Sequence, residues 1–328
     1  MPYSMLDNAV QRKTIGEFAF PLGVYPIEEM QPAEGFTVQF EPSDGGEEPG
    51  ELEEWPDRYV YEIVVTATRL SMLARALWSL MPGRVYPILD VLGNDAFREV
   101  DPYIAYDPVG FDRFIELVRR HGGWLFEDGL VGFGLMSDEP FLYIYIDEHK
   151  RLTVRAETTL REQVEETLKA FDLQEVAETR CADGVGHEHR SVLLCPPERP
   201  ELLTPDELVE EFSDEWALRL NIDRESNVND AGEALGVTSW RCVVRKHESA
   251  ESGPVYAEVY LTAGSLDEAE MLALEATDDD TPEDADWPRM LVVLMERMTS
   301  EQLTHALGRS IEDDVMTSRV LDVRWINR

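Results

Sequence analysis

Apolar positions change period within one short stretch, residues 60–81 (VYEIVVTATRLSMLARALWSLM). Tyr61, Ile63 and Val65 alternate with Glu62 and Val64, which predicts a central strand with one wholly apolar face. From Leu70 the spacing turns helical: Leu70, Leu73, Leu77 and Leu80 form a stripe that Met72, Ala76 and Trp78 widen. Pro82 and Gly83 stop it, and a second apolar run follows at residues 84–92. The unit therefore reads strand, helix, strand, and its stripe needs a sheet to bury against.

A weaker copy of this unit stands near the other end. Residues 65–70 (VTATRL) align with residues 261–266 (LTAGSL), each after a Val/Tyr-rich strand and before a helix, and residues 289–295 repeat the arginine-led strand. Thr, Ser and Gly are favoured at any strand-to-helix junction, so duplication and chance both explain the match.

The remaining pattern fills in the two halves. An edge strand is expected at 36–40 and a short strand near 103–106. A helix capped at Asp107, with Pro108 in its first turn, carries Phe111, Phe114, Ile115 and Val118 and ends at Gly122-Gly123. Short strands follow at 124–126, 130–136, 141–146 and 151–155, joined by turns at Asp128-Gly129, Asp138-Glu139-Pro140 and 147–150. The glycines of 129–134 mark a bulge or a close approach, since their spacing does not make a phosphate loop. Capping boxes start helices at Thr159, Thr204 and Thr299, and Ser265 caps another. Strands at 239–245, 255–262, 290–295 and 319–326 complete the second half.

The expected class is α+β: two related halves of mainly antiparallel sheet with helices on one face, on the lines of a single or tandem ferredoxin-like sandwich. The expected division is an arm, edge strand and acidic loop over 1–57, a first α+β domain over 58–198 and a second over 199–328.

Charge changes the picture most. Twenty-nine Lys and Arg stand against 67 Asp and Glu, a formal net charge of -38 in 328 residues. Nucleic acid and anionic membrane surfaces are both excluded as direct partners, because each needs clustered cations. No apolar run is long enough to span a bilayer and the N-terminal stretch lacks a secretion pattern, so the cytoplasm is the expected location. Three cysteines make no disulfide framework. Three readings of the acidity remain: a solvated surface of the salt-adapted kind, an acidic surface for a basic protein partner, or, as a special case of the latter, a mimic of nucleic acid. In the second, two loops carry the contact: Glu47, Glu48, Glu51, Glu53 and Glu54 with Trp55, and Asp278, Asp279, Asp280 and Asp286 with Trp287. Each tryptophan adjoins a proline and serves either as an anchor for that partner or as a plug beneath its loop.

Sequence chemistry is sparse. There is no P-loop, GxSxG, HExxH or CxxC, and the 221–236 loop has Val228 where a calcium loop needs glycine. Arg119, Arg120 and His121 fall at an expected helix C-terminus, where cations relieve the dipole. One constellation is left, Cys181, His187 and His189. His-x-His on a strand puts both rings on one side, and a turn over 182–186 would bring Cys181 opposite His187 to make a zinc site, with Asp183 or Glu188 at hand as fourth ligand or base. Cys195 lies about 20 Å further along, at roughly 3.3 Å per residue. The sequence thus supports two functions: a non-catalytic binding or regulatory protein acting on a basic partner, or a metal-dependent, hydrolase-like enzyme at the 181–189 hairpin.

Overall fold

A computed structural model describes residues 3–43, 55–93, 95–196, 198–247, 254–278, 290–309 and 317–326. Among them are six helices and seventeen strands in four mainly antiparallel sheets, a mixed α+β architecture. The chain forms two compact units, residues 1–92 with 102–220 and residues 93–101 with 221–328.

In the first unit the strands are β1 (Thr14–Ile15), β2 (Phe18–Ala19), β3 (Val24–Pro26), β4 (Gly35–Glu41), β5 (Arg58–Val64), β6 (Arg84–Leu92), β7 (Val100–Ala105), β8 (Val109–Gly110), β9 (Val131–Asp138), β10 (Phe141–Ile146), β11 (Leu152–Glu157), β12 (His187–His189) and β13 (Leu218–Leu220). Its helices are α1 (Ala67–Trp78), α2 (Phe111–Glu127), α3 (Arg161–Ala170) and α4 (Pro205–Trp216). The main sheet runs β13-β7-β6-β9-β10-β11-β5-β4, with β8 paired to β6. Alternation decides its faces. Tyr61, Ile63, Leu142, Ile144, Ile146, Leu152 and Val154 point to the side where α1 to α4 bury Leu70, Leu77, Trp78, Phe114, Leu168 and Trp216. The opposite face carries Glu62, Tyr143, Tyr145, Thr153 and Arg155, all half-buried.

The unit takes in more chain than the pattern suggested. The arm is stitched to 172–203: Tyr3 bridges Leu202, Leu6 bridges Leu193, Ala33 bridges Arg180, and β3 pairs with β12. The helix expected to open the second domain, α4, instead buries Leu208, Phe212 and Trp216 in the first unit's core. Helix α2 also runs on through Gly122 and Gly123 to Glu127, with one non-helical residue at His121 (φ -117°, ψ 20°). The strand expected at 124–126 is thus helix. Glycine costs a helix about 1 kcal/mol each, less than the burial of Trp124, Leu125 and Phe126 returns. A side chain at Gly123 would also stand 3.3 Å from Leu6 Cγ.

The second unit holds β14 (Thr238–Lys246), β15 (Val255–Ala263), β16 (Met290–Met298) and β17 (Arg319–Ile326), in the order β16-β14-β15-β17, with helices α5 (Leu266–Thr277) and α6 (Ser300–Leu307). Helix α5 covers the face of Trp240, Cys242, Val259 and Leu261. Leu303 of α6 packs on Tyr260, whose side chain leaves the opposite face, so here the helices lie on both sides. The chain order is β-β-α-β-α-β, whereas a ferredoxin-like unit runs β-α-β-β-α-β. Likeness between the units stops at the hairpin-to-helix junction: β16 pairs with β14, while β6 pairs with β9. Even the junctions differ, because Ser265 Oγ accepts the Glu268 amide at 3.2 Å and Thr66 Oγ1 instead accepts the Ala19 amide at 2.9 Å.

Candidate metal centre

Two local structures deliver three histidines to one point. The first is the β10–β11 turn. Asp147 Oδ1 accepts the Arg151 amide at 2.8 Å, and Lys150 takes a left-handed φ of 65°. Its buried ammonium donates to the Val131 carbonyl, and burial lowers its pKa to about 8. With 147, 150 and 151 fixed, His149 is left at the tip. The second is β12. Antiparallel pairing sets His187 against Pro26 and His189 against Val24, so strand alternation aims both imidazoles one way. Glu188, facing the other way, takes Arg190 Nε at 2.9 Å.

The rings of His149, His187 and His189 form a nearly equilateral triangle, with centroid separations of 4.8, 4.7 and 4.8 Å. Nε2 of His187 is 3.0 Å from Nε2 of His149 and 3.0 Å from Nε2 of His189. The opposite nitrogens all face acceptors. His187 Nδ1 lies 2.7 Å from the Val185 carbonyl, His189 Nδ1 2.5 Å from the Gly129 carbonyl and His149 Nδ1 3.1 Å from Glu148 Oε1.

These partners fix the tautomers. A carbonyl or carboxylate oxygen only accepts, so each Nδ1 carries the proton and each neutral ring presents a bare lone pair at Nε2. Lone pairs at 3.0 Å repel unless a proton or a metal cation lies among them. Ligation of zinc at about 2.0–2.1 Å in tetrahedral geometry needs ligand nitrogens about 3.3–3.4 Å apart, so the cage accepts such an ion by opening a few tenths of an ångström. Outer partners on Nδ1 are the usual companions of metal-bound histidine.

The acidic groups around the triangle favour a cation there, as a proton or as a metal. Burial opposes ionisation of Glu148, but its hydrogen bond to His149 and the neighbouring imidazoles hold its pKa down to about 2. Asp147 is pushed up to about 6, by burial first and then by Glu148. Burial would lower His149, yet Glu148, Asp147 and Asp183 together raise it. His189 is lowered, by burial and then by its two neighbouring rings, against the pull of the Gly129 carbonyl. Among the described residues Asp147, Glu148 and His149 form a second close group of donor atoms, but Glu148 is engaged on His149 Nδ1, outside the triangle.

Of the residues expected at this site, His187 and His189 meet and Cys181 is not in either close group of donor atoms. Its thiol donates to Asp183 Oδ1 at 3.0 Å, its side chain packs with Phe18, Phe20 and Val24, and burial raises its pKa, all of which keep it a thiol. Asp183 is further tied to Arg151, which also holds Glu62 at 3.2 Å. A groove of about 590 Å³ lined by Glu29, Met30, Arg180, Cys181, Asp183 and Val185 adjoins His187 through the Val185 carbonyl.

The residues expected to meet a basic partner fare differently. Glu47, Glu48, Glu51, Glu53, Glu54, Asp279, Asp280, Asp286 and Trp287 lie outside the described residues. Asp278 is exposed at the end of α5. The Trp55 ring lies tilted 5.3 Å from Phe141, with the guanidinium groups of Arg58 and Arg155 5.0 and 5.2 Å from it. It is packed against the sheet. No protein-family model, curated protein or solved structure matches this chain.

Proposed function

We propose that the first unit binds a divalent transition-metal ion through Nε2 of His149, His187 and His189, and that the protein is a metal-dependent hydrolytic enzyme. The convergence of three imidazole Nε2 atoms, with that of His187 3.0 Å from each of the other two, carries this reading. Three imidazoles without thiolate suit Zn(II) and its borderline neighbours Cu(II), Ni(II) and Fe(II), and do not suit Mg(II) or Ca(II). Three protein ligands with a fourth position left to solvent are the arrangement of catalytic zinc, where structural sites close with four side chains.

The chain's own residues have separate parts in this reading. His187 and His189 are oriented by backbone carbonyls, and His149 by Glu148, whose charge also strengthens that ring as a donor. A bound metal supplies an acidified water and polarises a carbonyl oxygen. The groove at Arg180 and Asp183 lies on the Nδ1 side of His187 and is lined by none of the three histidines. Recognition of a basic protein through acidic loops rests on the net charge of -38 alone, so the metal reading is the better supported.

The test is metal content. Untagged protein made without chelator should hold close to one equivalent of a zinc-group metal per chain. His149→Ala, His187→Ala and His189→Ala should each weaken binding by more than the ~10–100-fold that loss of an outer partner costs. Ester or amide hydrolysis should vanish on chelation and return with zinc. Metal-free protein that takes up no zinc, or three variants that bind it like wild type, would refute the assignment.

A further inference from the structure

The groove beside the Val185 carbonyl has a construction of its own. Its lining comes from two stretches of chain, 29–31 and 178–185, that are pinned together at both ends. At one pin Ala33 and Arg180 exchange amide-to-carbonyl hydrogen bonds of 3.0 and 3.3 Å; at the other the Gly186 carbonyl accepts the Ile27 and Glu28 amides at 2.9 and 3.1 Å. Between the pins the stretches part. Among the described residues, the main-chain amides and carbonyls of Glu29, Met30, Gln31, Glu178 and Thr179 have no hydrogen-bond partner. The opening is about 590 Å³, inside the roughly 300–1,000 Å³ of ordinary ligand sites.

The walls divide by chemistry. Met30 and Cys181 pack with Phe18, Phe20 and Val24, which fixes an apolar floor that Val185 extends. Around it stand Glu29, Glu178 and Arg180, all exposed, whose side chains make no hydrogen bond or ion pair among the described residues. Asp183 is different, because Arg151 already meets its charge. Two unpaired carboxylates thus outweigh one guanidinium, on a molecule of net charge -38. An apolar floor edged with carboxylates suits the long stem and charged head of Lys or Arg. Parted main-chain edges suit an extended peptide, which draws affinity from main-chain hydrogen bonds and specificity from its side chains. An acidic segment, or a second copy of this chain, meets a like charge.

We propose that this groove docks an extended segment of a basic protein. The segment's main chain meets the unpaired amides and carbonyls of 29–31 and 178–179, and one Lys or Arg lays its stem on Met30 and Val185 with its head at Glu29 and Glu178. Ile27, exposed at one pin, gives a flanking apolar residue its contact. None of the three histidines lines the groove, so the surface stands apart from the metal centre.

The experiment uses the full chain with chelator present, so that its outcome does not depend on the metal. The probe is a fluorescein-labelled peptide, GVKVKVG, titrated at low salt and followed by fluorescence anisotropy. Saturable one-to-one binding is expected. Glu29→Gln/Glu178→Gln should weaken it at least ~5-fold. Glu162→Gln/Glu166→Gln, the same charge change at exposed positions of α3, should leave it within about twofold. A counterpart peptide with norleucine at both lysines should bind at least ~10-fold more weakly than the probe. Thermal melts check that the double variants are folded, and the single changes serve if a double variant is not. Absence of saturable binding, or a norleucine peptide bound like the lysine one, would overturn the proposal. Equal loss in both double variants would do the same, since it means attraction to the acidic surface at large. Spermidine bound more tightly than the peptide, with the same dependence on Glu29 and Glu178, would make the occupant a free polyamine and overturn it as well.

Discussion

His149 shows how a site can be half legible. His187 and His189 can be read as a pair from strand alternation, because two residues on one strand face need only a period of two. Their third partner sits 38 residues upstream on a turn, and its residues, Asp147-Glu148-His149-Lys150, look like ordinary turn chemistry. What singles it out is the left-handed Lys150 and the inward path of its side chain, both properties of the folded backbone. Ligand chemistry alone favours Cys181, yet its thiol goes to Asp183 and its burial raises its pKa. A distinction follows at this scale. Cys181→Ala should retain the metal of wild type within about threefold, at a cost in stability of about 1–3 kcal/mol for the vacated volume, as read by chelator competition and thermal melting. Loss of the metal in a folded Cys181→Ala would return the thiol to the ligand set.

At the scale of elements, the local signals that held are those needing no tertiary partner. The capping boxes at Thr204 and Thr299 form with both hydrogen bonds present, and the bounds of β10 and β17 coincide with their apolar runs. The box at Thr159 does not form, because its hydroxyl donates to Glu157 and α3 begins two residues later. Tertiary burial decided the other departures, above all the continuation of α2 through two glycines. The glycines of β9 are close approaches. A Cβ at Gly132 would lie 2.3 Å from Tyr145 Oη, and one at Gly134 2.4 Å from the Ile144 carbonyl. Their bareness lets Tyr145 lie across β9 and donate to Asp90 Oδ2 at 2.5 Å. Gly134→Ala should therefore destabilise the first unit by about 1–3 kcal/mol through overpacking, as read by urea denaturation. An unchanged midpoint would mean that the sheet yields there freely.

At the scale of the molecule, composition and periodicity were enough for a mixed α+β protein with mainly antiparallel sheet, and not enough for its topology. Pairing of β5 with β11, or of β14 with β16, depends on which apolar faces find each other across long stretches of chain, and these strands offer similar Val/Ile/Leu/Tyr surfaces. The arm and α4 are both held in the first unit by partners far along the chain, which periodicity alone does not register. The charge of -38 is visible in the sequence but says little about mechanism, since most of the acidic residues expected to form a binding surface lie outside the described residues. The central claim concerns the smaller feature, three nitrogens in one unit. Cobalt substitution tests it most directly, because Co(II) reports ligand number and type in its visible spectrum and follows the same ligand preferences. One equivalent of Co(II) should give the intense bands of a four-coordinate ion with no thiolate charge-transfer band, and His149→Ala should abolish them. No uptake of cobalt, a thiolate band, or a spectrum indifferent to His149 would contradict the three-histidine centre.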